Sequence, residues 1–585
     1  MSLQTKRTQS LSRDERQKVL AVARGEATAD LLIKNVKILD LINGGSLDSA
    51  IVISGKTIAG TGPEYNDAPA LRVIDGAGLT AVPGFIDGHL HIESSMMNPF
   101  EFERMTLPLG TTTAICDPHE ITNVMGDRGF SWFLRCAEVM DQNLFVQTSS
   151  CVPALPGFET NGGDFTLEEM LRHKAHPQVL GLAEMMNFPG VVHGNQEVLD
   201  KLEAYADLNL DGHCPMLRGK GLNAYIAAGI QNCHETITQD EGREKLQKGM
   251  ALIIREGSVA KNLSTLAPLV TEFNSTQCFL CTDDRNPYEI LEQGHINFLI
   301  RKMIAELQMP AHLAYRLSSY SAAKHFGLKK LGLIAPGKQA DIVLLDDVDQ
   351  VGIAQVLIAG RPIADLNLDS ALPAKLEKSQ PPLENTIRRA PLTAADFDYD
   401  LKAGRYHVIE IIKDQIVTAH QIVAFDGDKF AQDDILYMVN IERYGQQLPP
   451  ALGLVKGSGL KKGAIAASVA HDSHNLMVIG ASIADIVVAA NALIASGGGL
   501  CVVEDGIVTA LLELPLAGLL SLKTGPEIYA ELKLLKNAYR KLGIVLDEPF
   551  IQMAFLALPV IPHLKLTDRG LFDVDSFSYI PLRDD

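Results

Sequence analysis

Two histidines separated by one residue, His89 and His91, lie at the end of an apolar run, AVPGFIDGHLHIE (81–93). Residues i and i+2 of a β-strand share a face, so both imidazoles can turn toward one ion. An isolated H-x-H pair is weak, being structural more often than functional. Here it is joined by Glu184, His213, His234 and Asp283, each at the end of a further apolar run. Four imidazoles and two carboxylates are enough for two divalent ions with a carboxylate between them. Such donors suit manganese, iron or zinc rather than calcium or magnesium. The chemistry is hydrolysis, because a metal pair lowers the pKa of water and supplies hydroxide near neutral pH. Asp283 could bind one ion, accept the proton of that hydroxide and return it to a leaving group. Glu184 could bridge the ions or shuttle a proton, and spacing leaves both roles open. A carboxylate there also argues against a bridge made by a carbamylated lysine.

Other polar residues cluster around this set. His119, in Asp117-Pro-His-Glu120, has no place in the metal count and could polarise a substrate as charge builds; it could equally pin a loop. Asp117 could orient His119 or touch the substrate. Ser94 and Ser95 could donate hydrogen bonds to substrate or shape their turn. Glu235 follows a ligand histidine and would point away on a regular strand, but its place at a strand end keeps substrate contact open. Arg255 and Glu256 read as an ion pair bracing the mouth of the site, with substrate contact as the alternative. Far downstream, His471-Asp-Ser-His474-Asn475 could bind a further metal, complete the site from outside, or pack a domain interface. Domain packing is the default expectation.

Eight apolar runs position these residues: 81–93, 111–120, 144–154, 178–187, 208–215, 229–236, 250–258 and 278–285. Each ends in polar residues, and segments such as FTLEEMLRHKAH and NQEVLDKLEAYADL between them have helical periodicity. Eight strand–helix units in about 250 residues is the size of a (β/α)8 TIM-like barrel, whose active-site residues come from the C-terminal strand ends. The expected α/β architecture assigns this barrel to 81–330. Residues 1–80, a leading helix at 13–26 and β-rich runs, form the first part of a small flanking β-sandwich, and 331–372 the second. The stretch 373–391 is the best linker, and 392–585 reads as a C-terminal α+β domain.

Bulk properties narrow the function. The chain has 585 residues, 46% of them hydrophobic, and a formal net charge of −19. That charge excludes general attraction to nucleic acid or an anionic membrane. The N-terminus shows no apolar run after its charges, and the most hydrophobic stretch, 481–520, is interrupted by charged residues and glycines. A membrane span needs roughly 20 predominantly apolar residues, so a cytoplasmic protein is expected, and a homo-oligomer. Eight scattered cysteines read as reduced thiols. Cys278-Phe-Leu-Cys281 lacks a second pair at zinc-finger spacing. His91-Ile-Glu93 lacks the Pro-Cys-x-x-Cys partner of the zinc nucleobase deaminases.

The blocks PGFIDGHLHIESSMM, CDPHEITNVMG, GLAEMMNFPGV, LDGHCP, NCHE, MALIIREGS, CTDDRNP and KKGAIAASVAHDSHN resemble, in order, those of the adenine deaminase family of the amidohydrolase superfamily. The resemblance covers most of the chain and no ligand position departs from it. It implies purine salvage chemistry: adenine and water give hypoxanthine and ammonia, with two manganese or iron ions as cofactor. The alternative is a binuclear amidohydrolase acting on a cyclic amide or an acyl-amide. A different class of reading makes the C-terminal domain a ligand-sensing module.

Overall fold

The computed structural model describes residues 11–397, 399–413 and 415–584. Residues 1–10 of the charged leader lie outside the described residues. Each of the eight apolar runs contains a strand: β1 (Phe85–Leu90), β2 (Thr111–Cys116), β3 (Asn143–Thr148), β4 (Val179–Met185), β5 (Asn209–Gly212), β6 (Asn232–Cys233), β7 (Ala251–Arg255) and β8 (Cys278–Cys281). They form two parallel sheets, β5-β4-β3-β2-β1 and β6-β7-β8. Backbone bonds join the sheets at both seams. Gln231 N–H donates to the Leu210 carbonyl (3.1 Å), and Asp283 N–H to the His89 carbonyl (3.1 Å). Ile86, Ile115, Phe145, Ile253 and Phe279 meet in one apolar cluster with Ala322, Phe326 and Leu331. The strands therefore curl around a packed interior, as in TIM-like folds.

The intervening helices start where their sequence predicts. Thr166 and Glu169 form a reciprocal capping box before Leu167–His173, and Asn195 caps Gln196–Ala204. The first run departs from its expectation as a single strand. Thr80–Pro83 belongs to the flanking sheet, and the chain crosses into the barrel at Gly84, where a Cβ would lie 2.1 Å from Thr112 Oγ1.

The two β-rich blocks do meet, but not as a sandwich of two sheets. Thr80–Pro83 pairs antiparallel with Ile342–Asp347, in register from Ile342↔Pro83 to Leu345↔Thr80. This seam makes one eight-stranded sheet of both blocks. Alternation lets one strand feed two cores: Leu31 and Ile33 face Ile342 and Leu344, while Leu32 packs with Val19 and Val22 of the leading helix, Arg13–Ala23.

The expected linker is partly a docked helix, Leu368–Ser379. Leu372 and Leu376, an i,i+4 pair, lie against the main core, a short apolar stripe that the Pro- and Lys-containing composition masks. Trp132 Nε1 donates to Ser379 Oγ (3.2 Å), and Lys375 reaches Glu103 (2.6 Å) and Asp141 (2.9 Å).

Beyond it lie an eight-stranded sheet, a three-stranded sheet (Leu564–Thr567, Gly570–Asp573, Ser578–Ile580) and helices including Ile483–Ser496 and Gly525–Lys541. This region covers the barrel mouth. Met97 and Phe100 share a continuous core with Leu514, Leu516 and Leu520. Ser521 N–H donates to the Met96 carbonyl (2.8 Å) and Gly525 N–H to Glu101 (2.5 Å). The 481–520 stretch is buried helix, turn and strand, and no helix among the described residues is long and apolar enough to cross a membrane.

One buried cation in this region yields a stability test. Lys565 is fully buried and donates to the Ile416 (3.3 Å) and Phe555 (3.1 Å) carbonyls. Burial pushes its pKa from 10.5 down to about 7. Between those values the unfolded chain binds more protons than the folded one, so this residue's contribution to stability rises with pH. Thermal unfolding of the parent and Lys565→Met from pH 7 to 9 should show the parent gaining on the variant. Parallel curves would contradict a depressed lysine.

Candidate metal centre and active site

The C-terminal strand ends bring the six predicted ligands together in a buried pocket. His89 and His91 come from the end of β1, Glu184 from β4, His213 follows β5, His234 follows β6 and Asp283 follows β8. Glu184 stands between two pairs of imidazoles. Its Oε1 lies 3.3 Å from His91 Nε2 and 4.0 Å from His89 Nε2. Its Oε2 lies 2.5 Å from His213 Nδ1 and 3.2 Å from His234 Nε2. Asp283 Oδ1 closes one side, 3.4 Å from His89 Nε2 and 3.2 Å from His91 Nε2. Three overlapping triads could each hold an ion: His89–His91–Glu184, Glu184–His213–His234 and His89–His234–Asp283.

The donor chemistry fits divalent ions. His89 Nε2, which faces Glu184 and Asp283, is buried without a hydrogen-bond partner, which native proteins avoid unless something else binds there. His91 Nδ1 instead pairs with the Asp117 carbonyl (2.9 Å), leaving Nε2 to face the carboxylates. A backbone group behind an imidazole fixes its tautomer and direction in this way. Burial lowers the His89 pKa to about 4, which keeps that ring in the neutral form a metal requires.

Asp283 is held in an unusual conformation. Its φ is 56°, in the left-handed region that aspartate tolerates better than most residues. Its N–H and carbonyl are tied to His89 and His91 of the first strand, which fixes the carboxylate direction. Arg255 donates to Asp283 Oδ2 and forms a two-pronged pair with Glu235, one arm at 2.9 Å. Although burial favours the neutral acid, the guanidinium charge keeps Asp283 well below the usual carboxylate range. Oδ1 remains directed at the histidines.

The other predicted residues divide. His119, at the start of the helix His119–Met125, stands edge-on to His91 with centroids 4.5 Å apart, and its Nε2 is 3.6 Å from Glu184 Oε1. Burial lowers its pKa to about 4. Asp117 orients His91 through its carbonyl, not His119, and its side chain accepts from Ser149 (2.5 Å). Ser94 donates to Glu120 (3.0 Å) and also contacts Asp284, whereas Ser95 donates to the Ile92 carbonyl (2.5 Å) and shapes its turn. Glu235 turns toward Arg255, not away. The expected Arg255–Glu256 pair does not form; Glu256 pairs with Lys302 (2.5 Å) and accepts from Leu263 N–H. All eight cysteines are buried free thiols.

Sequence reasoning gave no role to Glu120 and Asp284, both buried beside Ser94. The Asp-Asp doublet at a strand end was the available signal. The cluster His471–Asn475 is buried against the barrel, with His471 Nδ1 3.8 Å from Glu120 Oε1 and Asp472 Oδ2 3.7 Å from His119 Nδ1. A cleft of about 1000 Å³ opens beside β4, lined by Ser150, Met185, Met186, Phe188 and Phe577 among others.

Residues 80–363 match the amidohydrolase family. Residues 415–578 match the adenine deaminase C-terminal domain. An adenine deaminase of Bdellovibrio bacteriovorus is 64% identical over 583 residues, covering 100% of both chains. One of Escherichia fergusonii is 57% identical over 573 residues, covering 98% of this chain and 97% of its own. The chain belongs to the adenine deaminase family.

Arg255 balances two buried carboxylates, so its removal should be felt in stability. Breaking one partner of a buried ion pair costs about 3–5 kcal/mol. Arg255→Met should lower the denaturant midpoint accordingly, with Arg255→Lys intermediate because an ammonium cannot reproduce the fork. An unchanged midpoint for Arg255→Met would contradict this reading of the pair.

Proposed function

We propose that this chain catalyses the hydrolytic deamination of adenine to hypoxanthine and ammonia, as a cytoplasmic enzyme of purine salvage. The observation that carries the reading is full-length identity of 64% to a curated adenine deaminase. The eight reduced, buried thiols agree with a cytoplasmic setting. We take the chain to be a homo-oligomer of three parts: a flanking β unit (1–80 with 331–372), a barrel (81–330) and a C-terminal domain (392–585).

The proposed ligands are His89, His91, Glu184, His213, His234 and Asp283, holding two ions, manganese or iron, with zinc as the third choice. Divalent ions bound there would supply Lewis acidity and activate water near neutral pH. Glu184 would help hold both ions, because each of its oxygens faces a different imidazole pair. Asp283 Oδ1 takes the proton of the attacking water and returns it to the departing ammonia as the C6–N bond breaks. Arg255 keeps that carboxylate ionised through Oδ2. His119 polarises the purine as negative charge builds in the ring. Ser94, Asp117 and Glu235 shape the substrate side, with Glu235 acting through Arg255. Ser95 supports the turn.

The test is an absorbance assay of adenine loss run beside adenosine, cytosine, dihydroorotate and hydantoin. Adenine should be the preferred substrate. Preference for dihydroorotate or hydantoin would establish the cyclic-amide reading instead. Asp283→Asn should keep most of its metal, since an amide oxygen still coordinates, while kcat falls by about 10²–10⁴-fold. Near-normal turnover at full metal occupancy would remove Asp283 as the base.

A further inference from the structure

We propose that the C-terminal domain is part of the active site, its loop His471–Asn475 walling the pocket opposite the metal ligands, and that Asp472 is a positioning residue for His119. The inference rests on the adenine deaminase reading.

The loop is anchored within its own domain and tied to the barrel by one hydrogen bond of Asn475. His471 N–H donates to the Ala554 carbonyl (3.2 Å), and the His471 ring stacks on Phe555 with centroids 4.6 Å apart. Asn475 Nδ2 donates to the Thr160 carbonyl of the barrel (2.9 Å), while its Oδ1 accepts from Arg443 N–H (3.2 Å). Tyr444 hydroxyl donates to the Ser473 carbonyl (2.5 Å). These bonds account for the backbone and for Asn475. They leave the Asp472 carboxylate, 1% exposed, free to face His119 and His471.

There it lies between two imidazoles. Oδ1 is 3.6 Å from His471 Nδ1, and Oδ2 is 3.7 Å from His119 Nδ1. Asp472 Oδ2 and His119 Nδ1 are both buried without another hydrogen-bond partner. A purely structural carboxylate would not leave an oxygen aimed at an unpaired imidazole nitrogen, because each orphaned polar atom costs about 1–3 kcal/mol. Catalytic hydrogen bonds are often long in an unliganded enzyme and tighten when substrate binds. The chain of contacts runs Asp472 carboxylate, His119 Nδ1, His119 Nε2, Glu184 Oε1, linking the C-terminal domain to the proposed bridging ligand. A carboxylate behind Nδ1 fixes the direction of the ring and keeps Nε2 turned toward the Glu184 side of the site.

The test is a double-mutant cycle of Asp472→Asn and His119→Asn, with Asp472→Glu as the conservative variant. For each we would measure kcat, KM, metal content, melting temperature and hypoxanthine binding. In the parent, Asp472→Asn should lower kcat by about 10–100-fold, the usual effect of losing a group that orients an active-site side chain, with metal content, melting temperature and KM little changed. Asp472→Glu should recover part of the loss. In the His119→Asn background the same change should cost about twofold or less, because coupled residues are not additive. Equal losses in both backgrounds, or a lowered melting temperature with normal kcat, would overturn the proposal and leave the loop as a docking element. A parent protein inactive on adenine would instead sink the underlying reading.

Discussion

Glu184 is a buried carboxylate with an imidazole pair on each of its two oxygens, and most of the barrel mouth is arranged around that fact. A charge of this kind out of water demands partners, and here they come from the ends of three different strands. The strand ends must therefore converge within a few ångströms, which fixes the curl of the sheets and the register at both seams. The Asp283 backbone, at a φ of 56°, is part of the same constraint, because only that bend sets Oδ1 beside the first-strand histidines. Arg255 then becomes necessary: without it, Glu235 and Asp283 would be two more uncompensated charges in a dry pocket.

The C-terminal domain extends this logic. The apolar core shared by Met97, Phe100, Leu514 and Leu516 keeps solvent from the ligand side of the mouth. Electrostatic interactions strengthen as water is excluded, so the domain that covers the site also sharpens it.

How much of this was legible in the sequence follows physical lines. The convergence of the six candidate ligands was, because each residue sits at the end of an apolar run, and a strand's two-residue period fixes which side chains share a face. The barrel was legible for the same reason, repeated along the chain. The partner of Arg255 was not: whether it meets Glu235 or Glu256 depends on how neighbouring strand ends splay, which neither residue encodes locally. Ser94 and Ser95 looked equivalent, yet one turn of tight helix sends Ser94 to Glu120 and Ser95 to its own backbone. The reach of Asp472 to His119 spans hundreds of residues and became visible only with the domain in place. The flanking strands were found, but their union into one sheet rests on the Thr80–Pro83 seam, which the first apolar run concealed.

The most direct test of the central claim, a carboxylate-bridged pair of ions, is the metal stoichiometry of the purified parent and of Glu184→Gln, determined by elemental analysis. The parent should carry about two divalent ions per chain, as a binuclear hydrolase requires, and Glu184→Gln should lose at least one while remaining folded by circular dichroism. A folded Glu184→Gln that retains the parent's full complement, or a fully active parent with a single ion, would contradict the bridged centre.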